Sequence, residues 1–230
     1  MKKIAVYAGT RNYYAHMLPA VTSLLVNSSV DRIYLLIEDD VFPYKLPDRV
    51  HIINVSNQEY FKSSSPNYNC RWTYMAMMKM ALPYLLPQYD RYLYLDVDTI
   101  VDKNIDDIWD IDMGDCCFAA VKETHKSHDD ILYFNAGVLL IDRKNFVDSG
   151  LCDSVISALN TIKFPFPEQD CMNKVCSGKI REIPSDYNVS ALHETPKVIK
   201  IIHYATYKDW SKMVYYQKYM HIYQQIIGGE

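Results

Sequence analysis

Glycine is scarce in this sequence, with seven residues among 230, against a usual share of about 7%. The seven stand at positions 9, 114, 137, 150, 178, 228 and 229, and their spacing forms neither a GxGxxG dinucleotide motif nor a P-loop. A bound phosphate group would therefore have to be held by something other than a glycine-rich loop.

Membrane-spanning runs, basic clusters and CxxC cysteine pairs are also missing. No segment reaches the roughly 18 apolar residues of a membrane helix, and polar residues follow the apolar run at 4–8 directly, so we predict neither a transmembrane segment nor a signal peptide. The net charge is −4 and no basic run exceeds two residues, which excludes a nucleic-acid partner bound through a basic surface. The six cysteines form no CxxC pair, which favours free thiols and a cytoplasmic location.

What the sequence does contain is typical of one folded α/β domain. Apolar residues make up 49% and charged residues 23% of the chain, an ordinary balance for a globular protein. Strand-like runs alternate with helix-like segments. We predict strands over 4–8, 33–37, 51–55, 91–95, 118–121, 133–141 and 198–204, helices over 14–26, 71–86, 146–162 and 169–176, and a loop over 56–69. This alternation predicts a mixed sheet flanked by helices.

Two aspartates follow the strand predicted at 91–95. Ligands of open α/β sheets bind where strands end at their carboxyl side, and Asp96 and Asp98, two residues apart, would point the same way there. A hard divalent ion takes one or two carboxylates and completes its shell with phosphate oxygens and water. Aspartate also ends strands in plain turns. The β-forming residues 99–101 that follow favour the metal interpretation.

Five segments, in order, resemble glycosyltransferase family 8, which includes glycogenin and bacterial lipopolysaccharide galactosyl- and glucosyltransferases. The similar segments are residues 5–9 with 12–13, 94–101 with 105–110, 134–141 (FNAGVLLI), 168–173 (EQDCMN) and 203–210 (HYATYKDW). The resemblance implies a GT-A fold with a mixed, mostly parallel sheet. The length of the chain predicts a single domain over 1–230, with a nucleotide-binding half of about 1–110 and an acceptor-side half of about 111–230.

The resemblance implies three metal ligands, Asp96, Asp98 and His203, holding Mn²⁺ or Mg²⁺ against the diphosphate of a UDP-sugar. It assigns catalytic positions to Asn135, Gln169 and Lys208, and Lys208 would stabilise the departing diphosphate. Whether Gln169 acts as a nucleophile or the reaction follows a front-face mechanism stays open. The implied nucleotide-sugar contacts are Ala8, Gly9, Thr10, Asn12, Tyr13, Arg71, Lys79, Val97, Asn135, Ala136, Gly137 and Glu168.

Three departures from the family pattern affect the donor site. Thr10-Arg11 replaces the segment where an aspartate commonly reads uracil, so the uridine preference is open. Lys79 stands in place of an arginine and cannot make a bidentate guanidinium contact, although on one helix it would share a face with Arg71. The loop between His203 and Lys208 is one residue shorter and lacks its glycine.

We therefore predict a metal-dependent retaining transfer of glucose or galactose from a UDP-sugar to a saccharide or glycolipid hydroxyl. The acceptor would be read by variable loops, for which 56–69 and 123–131 are the candidates. One alternative is a phosphatase of the haloacid-dehalogenase type, although its DxDx[TV] motif would have Ile100 at the fifth position here. The other is a catalytically degenerate nucleotide-sugar-binding protein.

The C-terminal segment carries apolar side chains at helical spacing: Met213, Tyr216, Met220, Tyr223 and Ile227. We interpret this pattern as a helix that packs on the core of the protein. A homodimer contact and a peripheral contact with the inner face of a membrane are the alternatives.

Overall fold

The computed structural model describes residues 1–123, 132–190, 198–205 and 209–228. The described part contains ten strands: β1 (Ile4–Ala8), β2 (Arg32–Ile37), β3 (Val50–Asn54), β4 (Arg91–Leu95), β5 (Thr99–Val101), β6 (Phe118–Lys122), β7 (Phe134–Asp142), β8 (Ile180–Glu182), β9 (Val189–Ser190) and β10 (Ile201–His203). Its α-helices are α1 (Tyr14–Asn27), α2 (Thr73–Met77), α3 (Leu82–Leu85), α4 (Arg143–Asp148), α5 (Leu151–Thr161), α6 (Pro167–Val175) and α7 (Val214–Gly228).

The main sheet has seven strands in the order β3-β2-β1-β4-β7-β6-β8. Its strands pair in parallel except on either side of β7, which runs antiparallel to both β4 and β6. A smaller sheet has the order β5-β10-β9, and all three of its strands follow the aspartate pair along the chain. The prediction of a mixed, mostly parallel sheet flanked by helices is confirmed.

Strand β1 is buried along its whole length because helices cover both faces of the sheet. Alternate side chains of a strand point to opposite faces. Ile4, Val6 and Ala8 pack in the cluster that includes residues of α2, α5 and α6. Ala5 and Tyr7 pack in the other cluster, with residues of α1. The carboxyl end of β1 is therefore held rigidly from both sides.

The predicted helix over 71–86 is wrong in its extent. The structure divides this segment into α2, a 3₁₀ turn at Met78–Ala81, and α3, which has Pro83 in its first turn. Arg71 precedes α2, and Thr73 has a left-handed φ of 59° that interrupts the helical path. Such a conformation costs a β-branched residue about 1–2 kcal/mol. Arg71 and Lys79 therefore do not share a helical face.

Other boundaries differ for similarly local reasons. The helix predicted over 146–162 is α4 followed by α5, separated at Gly150, whose φ of 71° ends one helix before the next begins. The predicted strand over 198–204 is shorter in the structure, where it is β10. Strands β5, β8 and β9 were not predicted, because a run of two or three residues is too short to show an alternation of apolar and polar side chains. The predicted loop over 56–69 contains no helix or strand, and all six cysteines are free thiols, as expected.

The C-terminal helix α7 packs against α1, which confirms the interpretation that it covers the core. Tyr219 accepts a hydrogen bond from Asn27 Nδ2 at 2.7 Å, and Tyr216 Oη lies 2.9 Å from His16 Nδ1. Tyr216 and Tyr219 are both buried. Among the described residues, no helix combines the length and the apolar character needed to cross a membrane.

Candidate active site

A cavity of about 290 Å³ opens where β1 and β4 end and β7 begins. Because β7 runs antiparallel to β4, its first residues lie at the same edge of the sheet as the last residues of β4. Asp96 N donates to Gly137 O at 2.8 Å, which joins the two segments directly. One edge of the sheet thus collects residues that are distant in the chain.

Most of the predicted site residues line this cavity. They are Ala8, Gly9, Thr10, Tyr13, Arg71, Asp96, Val97, Asp98, Asn135, Gly137, Glu168, Gln169 and His203. Asn12, Lys79 and Ala136 are not among its lining residues. Lys208 lies outside the described residues, so its role stays a prediction. Of the two candidate acceptor segments, 56–69 contributes no lining residue, while Glu123 of the other lines the cavity and 124–131 is not described.

The three predicted metal ligands converge because of strand pairing. Strand β10 pairs antiparallel with β5, with His203 opposite Thr99, and this register brings the imidazole to the aspartates. His203 Nε2 lies 3.2 Å from Asp98 Oδ1 and 3.9 Å from Asp96 Oδ2. One ligand atom from each of the three residues lies within 4.8 Å of the others. Two carboxylates and an imidazole at the cavity surface suit an ion such as Mn²⁺ that also binds phosphate oxygens and water.

Electrostatic coupling links the imidazole to the carboxylates. Burial by itself opposes ionisation of both Asp98 and His203, but the adjacent opposite charge outweighs it in each case. The pKa of Asp98 is therefore lowered, chiefly by His203, and the pKa of His203 is raised, chiefly by Asp98. The site accordingly favours an ionised carboxylate at Asp98.

A chain of amides behind the site orients the His203 ring. Gly137 N donates to Asn135 Oδ1 at 2.8 Å, so the atom of Asn188 that faces the same oxygen, at 2.9 Å, is its Nδ2 donor. Asn188 Oδ1 consequently faces His203 Nδ1 at 2.9 Å and accepts a hydrogen bond from Nδ1–H. The neutral ring then carries its hydrogen on Nδ1, and its Nε2 lone pair points toward the aspartates. Glu123 Oε2 ends the chain by accepting from Asn135 Nδ2 at 2.9 Å.

Asn188 is a functional candidate that the sequence did not reveal. It follows a 3₁₀ turn at Ser185–Tyr187 and belongs to no segment of recognisable motif. The sequence shows only an asparagine next to the residues of the short strand β9. In the folded protein the Asn188 side chain is buried.

Gly137 is required for the close approach of the imidazole. A Cβ at this position would overlap His203 Cε1 and would lie 2.8 Å from Nδ1 of the same ring. Any larger residue at 137 would therefore displace the metal-ligand candidate. Packing against His203 is therefore a structural reason for glycine at 137, separate from its predicted contact with the nucleotide sugar.

Lys79 lies beneath the cavity wall with a fully buried side chain. Its Nζ donates to Ala136 O at 2.9 Å and lies 3.1 Å from Asp96 Oδ1 and 3.6 Å from Glu168 Oε1. The ammonium also sits 4.4 Å from the centre of the Tyr94 ring. A buried positive charge between two carboxylates reduces their mutual repulsion and holds both in place. Lys79 thus supports the site from behind.

Helix α6 presents Glu168 and Gln169 in its first turn. Gln169 Oε1 accepts from Ala136 N at 3.0 Å, and its Nε2 donates to Tyr133 Oη at 3.3 Å. Tyr133 in turn pairs with Asp170 of the same helix. These contacts attach the start of α6 to the start of β7, so the Gln169 amide has a defined orientation at the cavity surface.

The opposite wall is the loop after β1. Arg11 leaves the cavity and pairs with Asp39 after β2, with Nε 2.8 Å from Oδ2, while Tyr14 Oη donates to the same oxygen at 2.9 Å. Thr10 and Tyr13 remain as lining residues, and the Tyr13 ring is partly exposed to the cavity. Because Arg11 is paired with Asp39, the segment Thr10-Arg11 supplies this wall with the hydroxyl of Thr10 and not with the charge of Arg11.

Comparison with known proteins agrees with this geometry. The family model described as glycosyl transferase family 8 matches residues 4–214. The chain is 28% identical over 236 residues to glycosyltransferase GlyA of Streptococcus pneumoniae, covering 92% of this chain and 33% of GlyA. It is 28% identical over 112 residues to lipopolysaccharide 1,2-glucosyltransferase of Escherichia coli, covering 43% of this chain and 33% of that protein. The chain thus spans about a third of the length of these two curated relatives.

A solved structure shows the same fold. The galactosyltransferase LgtC, in complex with donor and acceptor sugar analogues, superposes with a TM-score of 0.71 at 18% identity. The alignment covers 96% of this chain and 95% of LgtC. The predicted GT-A fold is confirmed.

Proposed function

This chain belongs to glycosyl transferase family 8, and from that premise we propose that it transfers glucose or galactose from a UDP-sugar to a hydroxyl of a saccharide or glycolipid, with retention. The observation that carries the proposal is the convergence of Asp96, Asp98 and His203 on the cavity that Gln169 also lines. The names of two similar proteins, a lipopolysaccharide glucosyltransferase and a galactosyltransferase, support a hexose as the transferred group.

Asp96, Asp98 and His203 would hold Mn²⁺ or Mg²⁺. When bound there, the ion supplies positive charge against the diphosphate that departs from the sugar. Asn188 keeps the His203 lone pair directed to the same point, and Lys79 keeps Asp96 in position through its buried contact. The two carboxylates and the imidazole are therefore held close together by their neighbours before an ion binds.

Two further groups of cavity residues position the donor. Thr10 and the ring of Tyr13 face the side where the first βα loop would receive the nucleoside. Asn135 and Gln169 lie on the side of the metal-ligand candidates, next to Glu168. Since Gln169 is held by Ala136 N and Tyr133, we assign it to positioning the sugar.

A nucleotide-sugar panel tests the proposal. The chain would be incubated with UDP-, dTDP-, GDP- and ADP-hexoses, with Mn²⁺ or with EDTA, and release of the nucleoside diphosphate would be measured. We expect release from UDP-glucose or UDP-galactose that EDTA abolishes. Binding of UDP with Mn²⁺ but no release from any donor would instead identify a binding protein, and phosphate release from p-nitrophenyl phosphate would indicate a phosphatase.

A further inference from the structure

A histidine that the donor site does not use lies behind the wall at which we place the nucleoside. His16 is in the first turn of α1, three residues after Tyr13, and its ring centroid lies 6.1 Å from that of Tyr13 with the planes at 55°. Tyr13 lines the cavity and is 43% exposed, whereas His16 is partly buried and is not a lining residue. Within the described part of the chain the Tyr13 side chain makes no hydrogen bond, so packing alone limits its rotation.

The His16 ring is held from its other side by two buried aromatic residues. Its Nδ1 lies 2.9 Å from Tyr216 Oη of α7, and its ring centroid lies 4.5 Å from that of Trp210. Tyr216 and Trp210 also meet each other edge to face, with centroids 5.3 Å apart and planes at 84°. Each of the three rings therefore contacts the other two, and we call this group the aromatic cluster.

The aromatic cluster connects the nucleoside wall to the strand that carries a metal-ligand candidate. Trp210 begins the 3₁₀ turn at Trp210–Lys212, and its ring stacks on Tyr204 with centroids 6.4 Å apart and planes at 20°. Tyr204 directly follows His203, the last residue of β10. The start of α1 is thus fixed against the end of β10 through side chains that are distant in the sequence.

The surroundings of His16 favour a packing role over an acid–base role. Burial lowers the pKa of its side chain, so the ring is neutral at neutral pH and packs between other rings without a charge. Its Nδ1 is already engaged by the Tyr216 hydroxyl. A neutral, hydrogen-bonded imidazole outside the cavity suits the positioning of a neighbouring side chain.

We propose that His16 is a positioning residue for the donor: held by Trp210 and Tyr216, it fixes the Tyr13 ring in the orientation on which the nucleobase stacks. A side chain that is already immobile loses little rotational freedom when a ligand binds, and this effect amounts to about 3- to 10-fold in affinity. The inference deepens the proposed function and rests on it, since it takes Tyr13 to be part of the nucleoside wall.

Two ligands that share the diphosphate test this role. Isothermal titration calorimetry would measure the binding of UDP and of pyrophosphate, each with Mn²⁺. His16→Ala should weaken UDP binding about 3- to 10-fold. Pyrophosphate binding should stay within about twofold of wild type, because pyrophosphate has no nucleoside to stack. His16→Phe keeps a planar ring between Tyr13 and Trp210 and should recover most of the UDP affinity.

A double-mutant cycle separates positioning from general support of the fold. Tyr13→Ala should itself weaken UDP binding, and adding His16→Ala to it should change UDP affinity by less than about twofold, since no ring is left to position. A purely structural role of His16 would instead give the same loss with and without Tyr13. Equal losses in the two backgrounds would overturn the proposal.

The matched control is His51→Ala. His51 is also partly buried and also contacts a tyrosine ring, that of Tyr34 at 5.6 Å, but it lies on β3 and does not line the cavity. This change should leave the affinities for UDP and pyrophosphate at their wild-type values.

Three further results would contradict the role of His16. They are wild-type UDP affinity in His16→Ala or in Tyr13→Ala, equal losses of UDP and pyrophosphate binding in His16→Ala, and a wild-type protein that binds UDP no more tightly than pyrophosphate. Failure of the proposed function would appear differently, as no diphosphate release from any nucleotide sugar. Since UDP and pyrophosphate binding are measured without turnover, the two failures are distinguishable.

Discussion

The two ends of the cavity are built in different ways. At the carboxylate end, Asp96, His203 and Asn135 each contact a side chain from another element, and those partners are themselves hydrogen-bonded. At the aromatic end, Trp72 contacts both Phe166 and Arg71, and the two rings stand on the backbone that leads into two helices. The carboxylate end is a network of hydrogen-bonded side chains, whereas the aromatic end is a pair of exposed rings.

Physical chemistry explains the difference. A charge or amide removed from water loses several kcal/mol unless a partner replaces the solvent, so every polar group at the carboxylate end needs a neighbour. An aromatic ring has no such requirement and stays available to stack on a partner. Substitutions at the carboxylate end should therefore leave polar partners unsatisfied, whereas those at the aromatic end should not.

The largest effect is expected at the aspartates. Asp96→Asn and Asp98→Asn should each lower donor turnover at least ~100-fold, because an amide cannot supply the anionic oxygen that a preorganised metal site needs. Diphosphate release at saturating donor and Mn²⁺ measures this. The control is Asp148→Asn, which removes an exposed carboxylate that pairs with Lys144 four residues earlier. Near-wild-type rates in both site variants would refute the metal assignment.

A smaller effect is expected from the amide behind the histidine. Asn188→Ala should weaken Mn²⁺ binding about 10- to 100-fold, since the His203 ring loses the acceptor that selects its tautomer. Electron paramagnetic resonance of free Mn²⁺ measures the affinity without any turnover. Asn188→Asp retains an acceptor for Nδ1–H and should recover much of the loss.

A second asparagine provides the matched control for Asn188. Asn145 donates to Gly114 O and Cys116 O, which are not among the residues lining the cavity. Asn145→Ala should therefore lower stability without changing the affinity for Mn²⁺. Equal affinities in Asn188→Ala and wild type would show that the amide chain does not orient the ligand.

The smallest effect is expected away from both ends of the cavity. Tyr219→Phe removes the hydroxyl that accepts from Asn27 and donates to Asp102 at 3.1 Å, and should cost about 1 kcal/mol of unfolding free energy. Urea denaturation measures this loss, and donor turnover should stay unchanged. A large fall in turnover would mean that packing of α7 on α1 supports the site directly.

Much of the fold and of the carboxylate end could be predicted from the sequence. Long buried strands such as β1 and β7 have continuous apolar runs, and the aspartate pair directly follows one of them. The segment 71–86 could not be predicted correctly because its apolar spacing is compatible with one helix. The left-handed turn at Thr73 depends on surrounding contacts, not on helix propensity.

The sequence by itself determined the order of seven of the ten described strands, the family resemblance and the three metal-ligand candidates, because these depend on local patterns and motif spacing. Only the tertiary structure decided that Asn188 orients His203, that Lys79 supports Asp96 from beneath, and that Trp72 meets Phe166. Each of these pairs is separated by at least fifteen residues along the chain. Their contacts arise from strand register and helix packing, which no local sequence pattern specifies.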